Sequence, residues 1–372
     1  MRARRVLPVL LFAAIATAVA AAAVPQTPAP FTVHEWGTFT SVAGADGQAV
    51  RWLPQNGPVD LPCFVEHNPL QFKGSLSGTV RMETPVLYFY AQQPLETSVR
   101  VGFPQGYLSE WYPHATVTTG ATGVTTNGTI AWPSVQVAPG TAGAYPRESG
   151  ASHYYAARAT DASPLLVAAQ PEKFLFYRGV GQFQPPLTAI ARDDGSVAVR
   201  STAGAPIGDV IYFERRGGAL TFTSRHAASA EVLLARPSLD DASGAPLAEL
   251  KKILVANGLY PREAQAMVDT WKDSWFEEGA RLLYVVPRAD VDAILPLSMS
   301  PGPAALARVF VGRIELMTPA TLRDVKAAVT SRDRRMLTRY GRFLLPIAGR
   351  AGLTLPVDLA ATLADTPVPT CR

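Results

Sequence analysis

An α+β fold, mainly β, is expected from three observations. Between residues 31 and 236, short alternating or β-branched runs recur, among them "FTVHEWGTFTSV", "TPVLYFYA", "TSVRVGFP" and "DVIYFERRGGALTFTSR". Turn-forming stretches such as "QNGP", "TNGT", "RDDGS" and "RRGG" separate them, rich in the Gly and Asn that tight hairpin turns require. Beyond residue 238 the apolar spacing changes from strand-like to helical. About nine β runs at this spacing predict a β-sandwich-like domain over 31–237, followed by a smaller α+β segment over 238–350 and an extended tail over 351–372.

Residues 1–24 read as an export leader. "MRARR" is a basic start, "VLPVLLFAAIATAVAAAA" an apolar run, and Ala21 and Ala23 fit a small-residue cleavage site. A Pro-rich spacer follows over 25–30. The competing reading keeps the leader as an uncleaved anchor. The expected location is therefore periplasmic or extracellular. The chain carries a net charge of +4, of which Arg2, Arg4 and Arg5 supply three, so the remainder is close to neutral. That balance argues against nucleic acid as a partner. No second long apolar run follows the leader, so no membrane span is expected in the mature chain.

In the second segment, "PLAELKKILVANGL" places Leu247, Leu250, Ile253 and Leu254 on one helical face and stops near Gly258. "YPREAQAMVDTWKDSWFEEG" is the strongest helix, with Pro261 in the first turn and Glu263 following it. Its Trp271 and Trp275, four apart, share a face suited to packing on the β layer. "RLLYVVP" and "ALARVFVGRIELMTP" read as strands that either extend the β sheet or form a small domain of their own. One or two basic helices carrying Arg332, Arg334, Arg335, Arg339 and Arg342 follow.

Candidate chemistry concentrates in "FTVHEWGTFTSV". In a strand, Thr32, His34, Trp36, Thr38 and Thr40 share one face, and Phe31, Val33, Glu35, Gly37 and Phe39 the other. Glu35 then lies on the apolar face, where a carboxylate must be paired, bound to a metal or protonated. In "RMETPVLYFY", Glu83 alternates with Pro85, Leu87 and Phe89, which makes Glu35 and Glu83 candidate cross-strand neighbours and a candidate catalytic carboxylate pair. The plainer reading pairs each with an arginine. His34 and Trp36, together with Trp111 and His114 of "SEWYPHA", are candidate binding residues.

No HxH, HExxH or Cys-His cluster occurs, so no metal is expected; the ligands would be His34 and His67 if one were present. No motif specifies a cofactor, and nucleophile-elbow, Walker and Rossmann fingerprints are absent. Cys63 and Cys371 are the only cysteines and form a candidate disulfide; closing so long a loop is worth roughly 4–5 kcal/mol in the chain-entropy picture.

"VHEWGTFTSVAG", "METPVLYFY", "FPQGYLSEWYP" and "FVGRIE" together resemble a group of exported bacterial proteins whose mature region begins with a His-Glu-Trp-Gly-Thr strand. The resemblance spans most of the mature chain. It implies a place in the cell envelope or outside the cell, and no activity. The leading expectation is thus an exported binding or envelope-associated protein for a small molecule, glycan or envelope component. The alternative is a secreted hydrolase, carbohydrate-directed, working through Glu35 and Glu83 with or without a metal.

Overall fold

The structure, a computed structural model, describes residues 30–56, 60–68, 76–118, 127–149, 152–237 and 246–359. The expected export leader, nearly all of the expected Pro-rich spacer, Cys371 and the end of the expected tail lie outside these residues, and so does any Cys63–Cys371 bridge.

The described strands, in chain order, are β1 (Phe31–Val42), β2 (Glu66–His67), β3 (Val80–Ala91), β4 (Leu95–Phe103), β5 (Gly106–Tyr112), β6 (Thr116–Thr118), β7 (Gly128–Val137), β8 (Leu165–Val167), β9 (Gln170–Glu172), β10 (Leu175–Gly181), β11 (Leu187–Ala191), β12 (Val197–Ser201), β13 (Gly208–Arg216), β14 (Ala219–Ala227), β15 (Glu231–Leu234), β16 (Gly279–Val285), β17 (Leu297–Ser300) and β18 (Ala305–Leu316). The helices are α1 (Pro246–Ala256), α2 (Pro261–Trp275), α3 (Arg288–Ile294), α4 (Pro319–Ser331), α5 (Arg334–Thr338) and α6 (Leu344–Arg350), with a 3₁₀ turn at His153–Arg158. The class is α+β, mainly β.

Nine strands form one sheet in the order β14-β13-β16-β18-β1-β3-β10-β5-β2. One face packs on a six-stranded sheet containing β4 and β7 and on the three-stranded sheet β11-β12-β15; Phe31, Val33, Phe39, Leu87, Phe103, Trp132 and Leu187 share that core. The other face carries helices. Trp36, Val86, Tyr88, Ile211 and Val309 pack under α1, α2 and the 3₁₀ turn, and Val42, Trp52, Val325 and Leu344 pack with α4–α6. The sandwich of the sequence reading is thus present, with a helical layer on its far side. Up to Leu234 the described residues contain fifteen strands rather than about nine, because several are only two to four residues long.

The segment beyond residue 238 does not stand apart. Its strands β16 and β18 enter the centre of the large sheet, between β13 and β1. β18 runs parallel to β1, with Glu35 opposite Arg308 and Thr40 opposite Arg313. Every other pairing in that sheet is antiparallel.

Both faces of β1 are therefore buried. Alternation on a half-buried strand separates polar from apolar residues, but here the polar face is interior too. His34, Glu35, Thr38 and Thr40 are all at most 4 % exposed, so each hydroxyl, imidazole and carboxylate needs an internal partner. Gly37 serves a different need. A Cβ there would stand 2.7 Å from the Phe310 ring and 3.1 Å from the Pro85 backbone, so only glycine lets the three chain segments close up.

Candidate functional site

The pairing of β1 with β3 is regular up to Trp36–Val86 and resumes at Thr38–Glu83, leaving Gly37 opposite two residues, Thr84 and Pro85. Thr84 has a φ of 40°. This is a β-bulge, placed where Pro85 has no N–H to give to the ladder. The extra residue inverts the alternation. Met82 and Leu87 face the sheet–sheet core, whereas Val86 and Tyr88 face the helices. Glu83 turns to the helical side, where Thr40 Oγ1 donates to its Oε2 at 3.1 Å. The expectation that Glu83 shares a face with Leu87 and Phe89, beside Glu35, is corrected by this bulge.

Glu35 lies on the opposite face, fully buried. Tyr177 Oη donates to its Oε1 and Arg308 Nε to its Oε2, both at 2.5 Å. Arg308 Nη1 also donates to Asp292 at 2.7 Å. The structure does not bring the two carboxylates together, and both are enclosed by cationic or hydroxyl donors.

Glu83 instead anchors a cluster of arginines drawn from four elements. Its Oε1 forms an ion pair with Arg81 Nε at 2.9 Å and accepts from Arg342 Nη1 at 2.9 Å. Burial pushes its carboxyl pKa up, but Arg81, Arg342, Arg313 and Arg178 together hold it below the ordinary value. The crowding is mutual. Burial, with Arg342 next, brings Arg81 down to about 10 despite the Glu83 counter-charge. Arg313 hydrogen-bonds Glu277 at 2.9 Å and lies 4.6 Å above the Phe343 ring. Arg178, from the wholly buried β10, holds Asp60 in a two-pronged pair at 2.8 and 3.0 Å.

Asp60 opens the cluster to the surface. Burial raises its pKa, but Arg178, His153 and Arg81 hold it well below the usual carboxylate range. His153 Nδ1 stands 3.4 Å from Asp60 and Nε2 3.6 Å from Asp273. The hydrogen bond to Asp60 raises the His153 pKa, burial opposes it, and the Asp60 and Asp273 charges add to the rise. Over these groups lies α2. Trp271 sits 5.9 Å from the Arg178 guanidinium and stacks on Trp275 at 6.4 Å.

This seam, lying between the two helix-side cores, contains buried donors that no described residue satisfies. Arg178 Nε, Arg313 Nε, Trp271 Nε1, Trp275 Nε1 and the hydroxyls of Thr38 and Thr84 have no hydrogen-bond partner among the described residues. Four of the six can only donate. Leaving such groups buried and unmatched costs about 1–3 kcal/mol each, so each calls for an acceptor, whether water or a ligand atom.

The other expected residues separate into two places. His34 Nδ1 bonds Glu263 Oε2 at 2.6 Å, in company with Tyr90 Oη at 2.6 Å and the Tyr260 backbone N–H at 2.8 Å. Trp36 is buried beside Tyr88. Trp111 and His114 do meet, far along the sheet, because both bond Glu66, Trp111 at 2.7 Å and His114 at 2.9 Å. His67 is on β2, four strand spacings or about 19 Å from His34 on β1, so the two cannot share an ion. Among the described residues, no group of three or more His, Cys, Asp and Glu is disposed to hold a metal.

Sequence reasoning missed Asp60, Arg178 and Arg342 as site residues. Arg178 had a signal, a charge inside the otherwise apolar "FLFYRGV" run; Arg342 read only as one of five arginines on basic helices.

No family model matches the chain, and no curated protein matches it. Among solved structures, the Mu homology domain of Fcho1 from Danio rerio, with a bound Eps15 peptide, is similar over 78 % of this chain and 98 % of its own, at 9 % identity and a TM-score of 0.31. A likeness of that size carries no argument about function.

Proposed function

We propose that the protein is an exported binding protein whose ligand presents a carboxylate- or phosphate-like anionic group to the arginine seam. The observation that carries this reading is the set of buried, unmatched donors at Arg178 Nε, Arg313 Nε, Trp271 Nε1 and Trp275 Nε1 beside Glu83. Guanidinium and indole N–H groups in a water-poor site favour an anion strongly. Asp60 and His153, whose side chains are 18 % and 30 % exposed, are among the members of the cluster nearest to solvent. The hydrolase alternative loses its carboxylate pair, since Glu35 and Glu83 face opposite sides of the sheet.

The test is calorimetric titration of the full chain with phosphate, sulfate and acetate, repeated on Arg178→Gln. Saturable binding of one anion, lost in the variant at an unchanged fold by circular dichroism, supports the proposal. Absence of binding to all three sinks it.

A further inference from the structure

A second site, independent of the arginine seam, lies where the C-terminal end of β3 meets the start of α2. A cleft of about 470 Å³, within the range of about 300–1,000 Å³ usual for small-molecule sites, is lined by Tyr90, Tyr260, Gln92, Gln93, Asp161 and Ser163 among others. Its character differs from that of the seam. Tyr260 is 44 % exposed, unusual for so large a ring in this molecule. His34 covers part of it at 4.4 Å and the Tyr90 ring meets it edge-on at 4.9 Å. Gln92 and Gln93 are exposed amides on the rim, each able to donate and to accept. Asp161 is ion-paired with Arg262, so the cleft carries no unbalanced charge there.

The wall is held from beneath. Glu263, fully buried, accepts from Tyr90 Oη and from the Tyr260 backbone N–H and bonds His34 Nδ1. One carboxylate thus locks the Tyr90 hydroxyl, the chain at Tyr260 and the imidazole between the rings. A site fixed in this way loses little side-chain freedom on binding.

We infer that this cleft binds an uncharged saccharide. An exposed, rigid aromatic ring offers a platform for the apolar face of a sugar, as it does for other amphipathic ligands. The exposed amides of Gln92 and Gln93 match hydroxyl groups that also donate and accept at once. Neither the charge nor the donor surplus that marks the seam is present, so the two sites select different chemistry.

The experiment uses the full chain and three neutral probes, maltose, cellobiose and N,N′-diacetylchitobiose, followed by saturation-transfer NMR and tyrosine fluorescence. At least one probe is expected to bind saturably, with Tyr260→Ala weakening it about tenfold or more and Tyr260→Phe by no more than about threefold, since the ring face is kept. The paired exposed changes Gln92→Ala and Gln93→Ala should weaken it as well, and they guard against a fold defect in Tyr260→Ala. No saturable binding by any probe, full affinity in Tyr260→Ala, or displacement of the sugar by phosphate would each overturn the inference. Sugar binding that persists when the seam proves unable to take an anion leaves this inference standing alone.

Discussion

Arg308 and Glu35 stand directly opposite each other across the parallel β1–β18 pairing, joined by a 2.5 Å hydrogen bond although 273 positions separate them in the chain. Both side chains are fully buried. In Glu35→Gln the buried Arg308 keeps only Asp292, at 2.7 Å, as a counter-charge, so the change is expected to cost about 2–3 kcal/mol. The double change Glu35→Leu with Arg308→Met should recover much of that, because a buried ion pair is often replaceable by apolar groups. Urea unfolding of the wild type and the two variants measures it; a Glu35→Gln protein of unchanged midpoint would show the pair to be unimportant for stability.

Gly37→Ala should destabilise by about 1–3 kcal/mol, the usual cost of forcing a methyl group into a closed space. The Phe310 ring is the nearer obstacle, the Pro85 backbone the less yielding one. Adding Phe310→Leu should recover part of the loss, and thermal melting of both proteins reads it out.

Stability should fall as pH rises through the titration of His153. Its folded pKa is raised above the ordinary 6.5, so its contribution is complete below that value and disappears as pH climbs through the folded one. Asp60 acts in the opposite range. Its pKa is depressed, so its contribution is present above the ordinary 3.8 and is lost as pH falls through the folded value. Melting curves taken upwards from pH 6.5 should therefore decline in the wild type and flatten in His153→Gln.

Glu83→Gln separates stability from binding. It withdraws the counter-charge of Arg81 and Arg342, which should lower stability by about 2 kcal/mol or more. The same change leaves the seam more positive, so anion affinity should rise about tenfold. Calorimetry beside denaturant unfolding tests both; weaker anion binding would contradict the arginine-seam reading.

Much of the architecture was legible because it rests on local signals. The period of two in β1, the first-turn Pro261 and the apolar face at Leu250, Ile253 and Leu254 each depend on nearby residues. Which face of β1 holds Glu35 was also readable, since alternation follows from strand geometry alone. The bulge at Gly37 was not. "MET-P" and "EWG" lie 48 positions apart in sequence, and the inversion of Glu83 exists only once the two strands pair. The arginine seam was hidden for a related reason. Arg178, Arg313 and Arg342 come from different elements, and no spacing in the chain records that they surround one carboxylate.

The place of β18 beside β1 also bears on the order in which the molecule can assemble. The first described strand cannot complete its hydrogen bonding until a strand near residue 310 exists, so its closure is a long-range event of the kind that slows folding. Until then β1 presents an open edge and an unneutralised Glu35. A chain built this way stays uncommitted to its central sheet until nearly all of it has been made.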